Sequence, residues 1–328
     1  MAAAATDLFR LVRKGVDVRV VHANSRKPFR LYLCGDPALV ATMRALLLAG
    51  EGATVPLDAA ACLETIGAAM LPPSDSREAR AILFLGRPGD LAGAHLNGLR
   101  ATRLPIVAIT VDENSPATAS AIATGPDSCA EYTVPTLTRE ALKGRVFPHI
   151  IECCKGVEIA LGRRLPALRE TVAAKLTRDA ASNALKVALA SAVVDHIPVI
   201  GLVLGAFASA GDMVAITGIQ MMLLLHIEAT YGRDPDVQRM WQLLPILGGG
   251  FGWRMLAREL SGFIPVAGIG IKGAIAYAGT IVVGEGVAFL HEHGKHMSSL
   301  QASAIYDRTK NEALKLARDF AARFTNNR

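Results

Sequence analysis

Short apolar segments, each followed by turn residues, recur through the first half of this 328-residue chain and leave few folds open to it. Three of them are FRLYLCG (29–35), ARAILFLG (79–86) and LPIVAITVD (104–112). Near-continuous apolar runs of this length are typical of strands buried on both faces of a parallel sheet. AEYTVPTLT (130–138) predicts a last short strand, and 139–154 predicts a closing helix. Because apolar helical segments such as 39–50 follow the strands, we expect an α/β fold with right-handed crossovers.

The second half reads as helices only. Residues 163–191 predict one or two basic amphipathic helices, Gly- and Ala-rich apolar segments continue to about residue 290, and 298–325 predicts a polar-faced helix. The chain is 51% hydrophobic but only 5% aromatic, which suits close helix packing. The predicted organisation is an N-terminal helical segment (1–27), an α/β domain (28–155), basic amphipathic linker helices (156–190), an apolar helical domain (191–294) and a C-terminal helix (295–328).

Charge and cysteine content exclude several classes of protein. The net charge of +6 is scattered, and no run of Lys and Arg interleaved with aromatic residues indicates a nucleic-acid surface. The five cysteines are odd in number and irregularly spaced, which argues against a disulfide framework or a zinc site and fits a reducing cytoplasm. The first 15 residues lack the apolar core of a secretory signal.

The turn after the first strand stands where a phosphate-binding loop would stand. Such a loop needs a second glycine for close backbone approach, a lysine for the β- and γ-phosphates and a hydroxyl for magnesium. The corresponding positions of this sequence are Gly35, Val40, Ala41 and Thr42. A branched side chain thus replaces the second glycine, and a methyl group replaces the cation. Pro37 removes a backbone donor and Asp36 adds a negative charge, so we expect neither a nucleotide nor another cofactor.

The element order over 28–155 resembles a small translation-factor-type (Era-like) GTPase domain. LPIVAITVDEN lies where that family has the strand ending in Asn-Lys-x-Asp, the guanine-reading motif. Here the motif reads Thr-Val-Asp-Glu, with Thr110 at its first position and the aspartate displaced to Asp112. No clear Asp-x-x-Gly follows a strand between 53 and 76. The resemblance implies a degenerate P-loop GTPase-like sheet without catalytic residues.

Residues from about 185 to 294 resemble the YcjF-type helical domain of unknown function. The match is carried by a repeated Ile-Pro-x-x-Gly, by an Asp before an apolar helix with an internal Gln, and by a Tyr-Gly stop at 231–232. The matching residues include Pro198, Gly201, Asp212, Gln220, Pro265 and Gly268. In that family the module often follows a GTPase-like domain and is associated with the bacterial inner membrane. The resemblance therefore implies a pseudo-GTPase joined to a membrane-associated helical module.

Hydropathy leaves the relation of this module to a membrane open. A spanning helix needs about 20 apolar residues, whereas 197–211 supplies 15 without a charge. The stretch 263–290 is long enough but contains Lys272 and Glu285, which are costly at mid-bilayer. Three arrangements stay open: short re-entrant or in-plane hairpins, a spanning bundle with Asp212, Lys272 and Glu285 turned inward, or a compact soluble helical domain. For Asp212 itself the simplest role is that of a helix N-cap.

These features predict a non-enzymatic adaptor or scaffold on the cytoplasmic side of a bacterial inner membrane, peripheral or integral. We expect a protein partner or self-association, membrane contact, and no metal site, since of His291, His293 and His296 only two share a helical face. Two alternatives stay open. One is a soluble homo-oligomer assembled through Gly-rich helices, and the other is a nucleotide-binding switch with non-standard contacts.

Overall fold

A computed structural model describes residues 17–50, 55–67, 72, 77–90, 98–114, 118–122, 129–194, 201–239 and 268–325. These residues form two compact units. The α/β unit comprises the described residues of His22–Val172 and Ala229–Arg233. The helical unit comprises those of Ala173–Glu228 and Asp234–Arg328, together with those before His22. An α/β part followed by a mostly helical part confirms the predicted fold class at this level.

The α/β unit is built on a six-stranded sheet. Its strands are β1 (Arg30–Gly35), β2 (Leu63–Thr65), β3 (Ala79–Gly86), β4 (Ile106–Val111), β5 (Thr118–Ile122) and β6 (Cys129–Val134). The order across the sheet is β2-β1-β3-β4-β6-β5. All pairs are parallel except that of β5 with β6. The five parallel strands are doubly wound, and the winding changes direction between β1 and β3.

The central strands are buried on both faces, as the sequence pattern predicts. Every residue from 81 to 86 of β3 and from 106 to 110 of β4 is buried. Neighbouring strands align in register, with Leu33 opposite Leu83 and Leu83 opposite Val107. Each such fully buried aliphatic side chain contributes about 1.5–3 kcal/mol through removal from water. This burial explains why near-continuous apolar runs were a reliable signal for the central strands.

Helices lie before β1, after β1 and after β6. They are α1 (Val18–Ser25), α2 (Pro37–Leu48), α3 (Arg139–Lys143), α4 (Val146–Cys153) and α5 (Glu158–Arg164). The buried side of α2 consists of Leu39, Val40, Met43 and Leu47. The single closing helix predicted over 139–154 is instead two helices, α3 and α4, which are separated by Gly144 and Arg145.

A buried arginine closes the end of α5. The Nε of Arg169 donates to the Gly162 carbonyl oxygen at 3.1 Å, and its Nη2 donates to that of Arg163 at 3.3 Å. Both oxygens belong to the last turn of α5, where carbonyl groups lack helical partners. Burial lowers the pKa of Arg169 to about 10. Through these two hydrogen bonds, Arg169 caps the last turn of α5. The next helix, α6 (Arg169–Val194), begins at the same residue.

The helical unit contains the remainder of α6, α7 (Gly201–Thr230) as far as Glu228, α8 (Gly268–His293) and α9 (Ser299–Thr325). The helix predicted over 298–325 is confirmed by α9. One apolar core joins three of these helices and consists of Ala181, Leu185, Leu189, Ala274, Tyr277, Ile281 and Ala313. Close approach of α6 and α8 requires glycine at 284, because a β-carbon there would lie 2.3 Å from Thr177 Oγ1.

A second helix boundary that was predicted wrongly is the start of α7. Asp212 was expected to be an N-cap, but α7 begins at Gly201 and continues through Asp212 to Thr230. The segments on both sides of Asp212 are apolar and rich in helix-forming residues, so one long helix forms across it. A single Asp costs an interior helical position only a few tenths of a kcal/mol, roughly.

Candidate functional site

The carboxyl ends of β1 and β3 meet at the point where ligands bind in doubly wound sheets. Gly35 ends β1 with a φ of +114°. A β-carbon at this position would lie 1.9 Å from the carbonyl oxygen of Leu85. The next residue, Asp36, donates its N–H to that same oxygen at 2.8 Å. Gly35 is therefore required by the approach of the β3 backbone, whether or not a ligand is present.

Asp36 uses its side chain to cap α2. Its Oδ1 accepts the N–H of Ala38 at 2.9 Å and that of Leu39 at 3.0 Å. Its Oδ2 lies 3.7 Å from Nε of Arg87. The hydrogen bond from Leu39 contributes most to lowering the pKa of Asp36, with smaller contributions from Ala38 and Arg87. A carboxylate of this chain thus accepts from N–H groups of the kind that hold phosphate in a phosphate loop.

The other three positions that correspond to a phosphate-binding loop are Val40, Ala41 and Thr42, and all of them lie in α2. Val40 is 4% exposed and packs on the core side of α2. Ala41 and Thr42 lie on the exposed side. The Thr42 hydroxyl donates to the Ala38 carbonyl oxygen at 2.8 Å, as helical threonines commonly do. Together, these positions present a methyl group and an internally bonded hydroxyl toward solvent.

The turn after β3 carries a second capping carboxylate, which sequence reasoning missed. Asp90 Oδ2 accepts the N–H of Arg87 at 2.6 Å, and the Asp90 N–H donates to the Arg87 carbonyl oxygen at 3.1 Å. Gly89 supplies the positive φ of this turn, +98°. The Pro-Gly-Asp sequence at 88–90 was the available signal, because these residues favour turns and Asp caps free N–H groups.

The residues predicted to stand in place of a base-reading motif also form a turn. Thr110 is buried near the end of β4, in register with Gly86 and Thr133. Asp112 donates its N–H to the Val134 carbonyl oxygen at 3.0 Å, and its Oδ1 accepts the N–H of Asn114 at 3.0 Å. This is the local geometry of an Asx turn.

The charge at this edge is of the wrong sign for a phosphate ligand. Three aspartates follow β1, β3 and β4, namely Asp36, Asp90 and Asp112. In residues 35–37, 86–90 and 110–114, which the structure describes, Arg87 is the single cation against these carboxylates and Glu113. Carboxylates that follow neighbouring parallel strands lie at the same edge of the sheet and disfavour an anionic ligand there.

The sequence-predicted residues of the helical unit lie at several separate places. Gln220 Nε2 donates to Thr280 Oγ1 at 3.3 Å, which links α7 to α8. Glu285 accepts twice from Arg308 Nη2, at 3.0 and 3.2 Å, which links α8 to α9. Gly201 and Asp212 lie in α7, while Gly268 and Lys272 lie in α8. Pro198 and Pro265 are outside the described residues.

An ion pair between a buried glutamate near the end of α7 and an exposed arginine was not predicted. The Glu228 side chain is 1% exposed and lies 2.8 Å from Nη2 of Arg239. Arg239 also donates to the Asp234 carbonyl oxygen at 2.8 Å. Nearby along α7, burial lowers the pKa of His226. The only sequence signal was a Glu within an apolar helix, and such a residue is almost never fully buried unless it is paired. Across the described ranges, no group of three His, Cys, Asp or Glu side chains is arranged to hold a metal ion.

One described helical stretch, Gly273–His293 of α8, is long and apolar enough to cross a membrane. Of its most apolar 18-residue window, 72% is buried inside the protein. Pro37–Leu48 and Val214–Thr230 are apolar but shorter. The core helix of a soluble protein passes the same test, so this stretch alone is weak evidence for a span.

Comparison with known proteins adds no identification. The chain matches no protein-family model, no curated protein and no solved structure. The α/β part followed by a helical part is shown by the structure itself. The Era-like and YcjF-type assignments of these two parts stay predictions from the sequence.

Proposed function

We propose that this protein is a non-enzymatic adaptor or scaffold. Its α/β unit is a pseudo-GTPase that holds no nucleotide, and its helical unit associates with the cytoplasmic face of a bacterial inner membrane and with a protein partner or a second copy. The observation that carries the proposal is the capping of α2 by Asp36, since this carboxylate takes two N–H groups that a phosphate would need.

Electrostatics supports the same proposal. A nucleotide entering at the end of β1 would have to displace the Asp36 carboxylate from Ala38 and Leu39 and then stay beside it. It would gain no lysine in return, because the frame has Ala41 at that position. The Thr42 hydroxyl, which donates to the Ala38 carbonyl oxygen, would be the one group of the phosphate-loop positions left to coordinate a bound Mg²⁺. Catalysis of phosphoryl transfer depends on the positioning and charge stabilisation that these groups provide.

Membrane association rests on the apolar length of α8 and on the resemblance of the helical unit to the YcjF-type module. Fractionation of cells that express the full chain tests it, with an integral and a soluble marker protein as references. We expect recovery in the membrane pellet after a high-salt wash without detergent. Complete recovery in the supernatant would contradict membrane association.

A soluble scaffold is the second candidate, and the burial of α8 favours it. Because 72% of its most apolar window is buried by the rest of the chain, the apolar surface of α8 is largely covered without a bilayer. A sharp peak on size exclusion of detergent-free protein would select this candidate. If assembly uses the Gly-rich helices, Gly201→Leu or Gly268→Leu should disturb that peak more than Ala41→Lys does.

A further inference from the structure

We draw no further inference here: the strongest candidate, the uncharged solvent-facing side of α2 formed by Ala38, Ala41, Thr42 and Ala45, belongs to a single 12-residue helix that is too small to form a stable dimer interface by itself, and nothing in the described structure shows what covers it.

Discussion

The carboxylate of Asp36 accepts a hydrogen bond from the backbone N–H of Leu39 at 3.0 Å, three residues further along the chain. From the sequence, Asp36 adds a negative charge near the position that a phosphate would take. In the structure the Asp36 carboxylate itself accepts the free N–H groups at the start of α2, where an anion would otherwise bind. Repulsion and internal capping act in the same direction, because both disfavour a phosphate at this helix end.

Replacement of Asp36 by Ala should destabilise the α/β unit, because the N–H groups of Ala38 and Leu39 lose their acceptor. We expect the Tm to fall by about 2–4 °C. Asp36→Asn is the matched control, since its amide oxygen can still accept these bonds, and it should lose less. Thermal unfolding followed by circular dichroism measures both variants. Equal losses for Ala and Asn would show that the negative charge matters and the cap does not.

The Asp36 cap should also weaken in acid. Hydrogen bonds to the ionised carboxylate lower its pKa in the folded state, so its stabilising contribution is complete above the unfolded-state pKa of about 4 and is lost as the pH falls through the lower folded-state pKa. The stability difference between the wild type and Asp36→Asn should therefore be constant at neutral pH and change only below about pH 4. Urea unfolding at a series of pH values measures it, and a change centred near pH 6 would contradict the assignment.

Gly35→Ala tests whether Gly35 serves packing. The new β-carbon would meet the Leu85 carbonyl oxygen at 1.9 Å, in a residue with a φ of +114°, and we expect a loss on the order of 3 kcal/mol. Gly89→Ala is the control, because its φ of +98° is similar but nothing lies within 4 Å of the added atom. That control should be destabilised by backbone strain alone, by about 1–2 kcal/mol. Urea denaturation measures the free energy of unfolding of both variants, and equal losses would disprove a packing role for Gly35.

Gly284→Ala should push α6 away from α8. Its β-carbon would lie 2.3 Å from Oγ1 and 2.5 Å from Cγ2 of Thr177, a buried residue with a stiff, branched side chain. We expect a loss of about 1–3 kcal/mol. Gly279→Ala on the same helix has open space and should be neutral or stabilising by up to about 1 kcal/mol.

A double-mutant cycle isolates the contact between Gly284 and Thr177. In a Thr177→Ala background, Gly284→Ala should cost less than in the wild type, because the two nearest atoms, Oγ1 and Cγ2, are removed and only Cβ at 2.9 Å stays. Chemical unfolding supplies the four free energies. An unchanged cost in both backgrounds would mean that the destabilisation arises elsewhere.

The thiols should be unreactive in the folded protein. Burial raises the pKa of Cys34 and Cys62 to about 12 and that of Cys153 to about 11, and it also raises the pKa of Cys129 and Cys154. Because the thiolate is the nucleophile, alkylation of Cys34, Cys62 and Cys153 at pH 8 should be slower by about 100-fold or more than in urea-unfolded protein. Mass spectrometry after iodoacetamide treatment measures this. Rapid labelling of any of these cysteines in the native protein would contradict the burial of that thiol.

The sequence predicted the strands that are buried on both faces. The segment 79–86 matches β3 residue for residue, and β1, β4 and β6 differ from prediction only at their ends. By contrast, β2 has three residues and β5 reads TASAI. Neither is a long apolar run, so the local signal was weak. Pairing with β1 and β6 creates these two strands, and such long-range pairing is not encoded in local sequence.

The local parts of the candidate site could be predicted, but its long-range contacts could not. Asp36 followed by Pro37 and an apolar helix is a helix-start signal, and the sequence already contained it. The approach of the Leu85 carbonyl oxygen to Gly35 joins residues 50 positions apart, and no local pattern predicts it. The same holds for Arg87, which lies beside Asp36 only because β1 and β3 are neighbours.

Isothermal titration of the full chain with GTP and with ATP, each in the presence of Mg²⁺, tests the central claim most directly. The account predicts no heat of binding up to millimolar nucleotide, and no phosphate release on prolonged incubation. Micromolar binding that is abolished by Thr42→Ala would contradict it, because the Thr42 hydroxyl oxygen would then be acting as a Mg²⁺ ligand, as the hydroxyl of a phosphate-binding loop does.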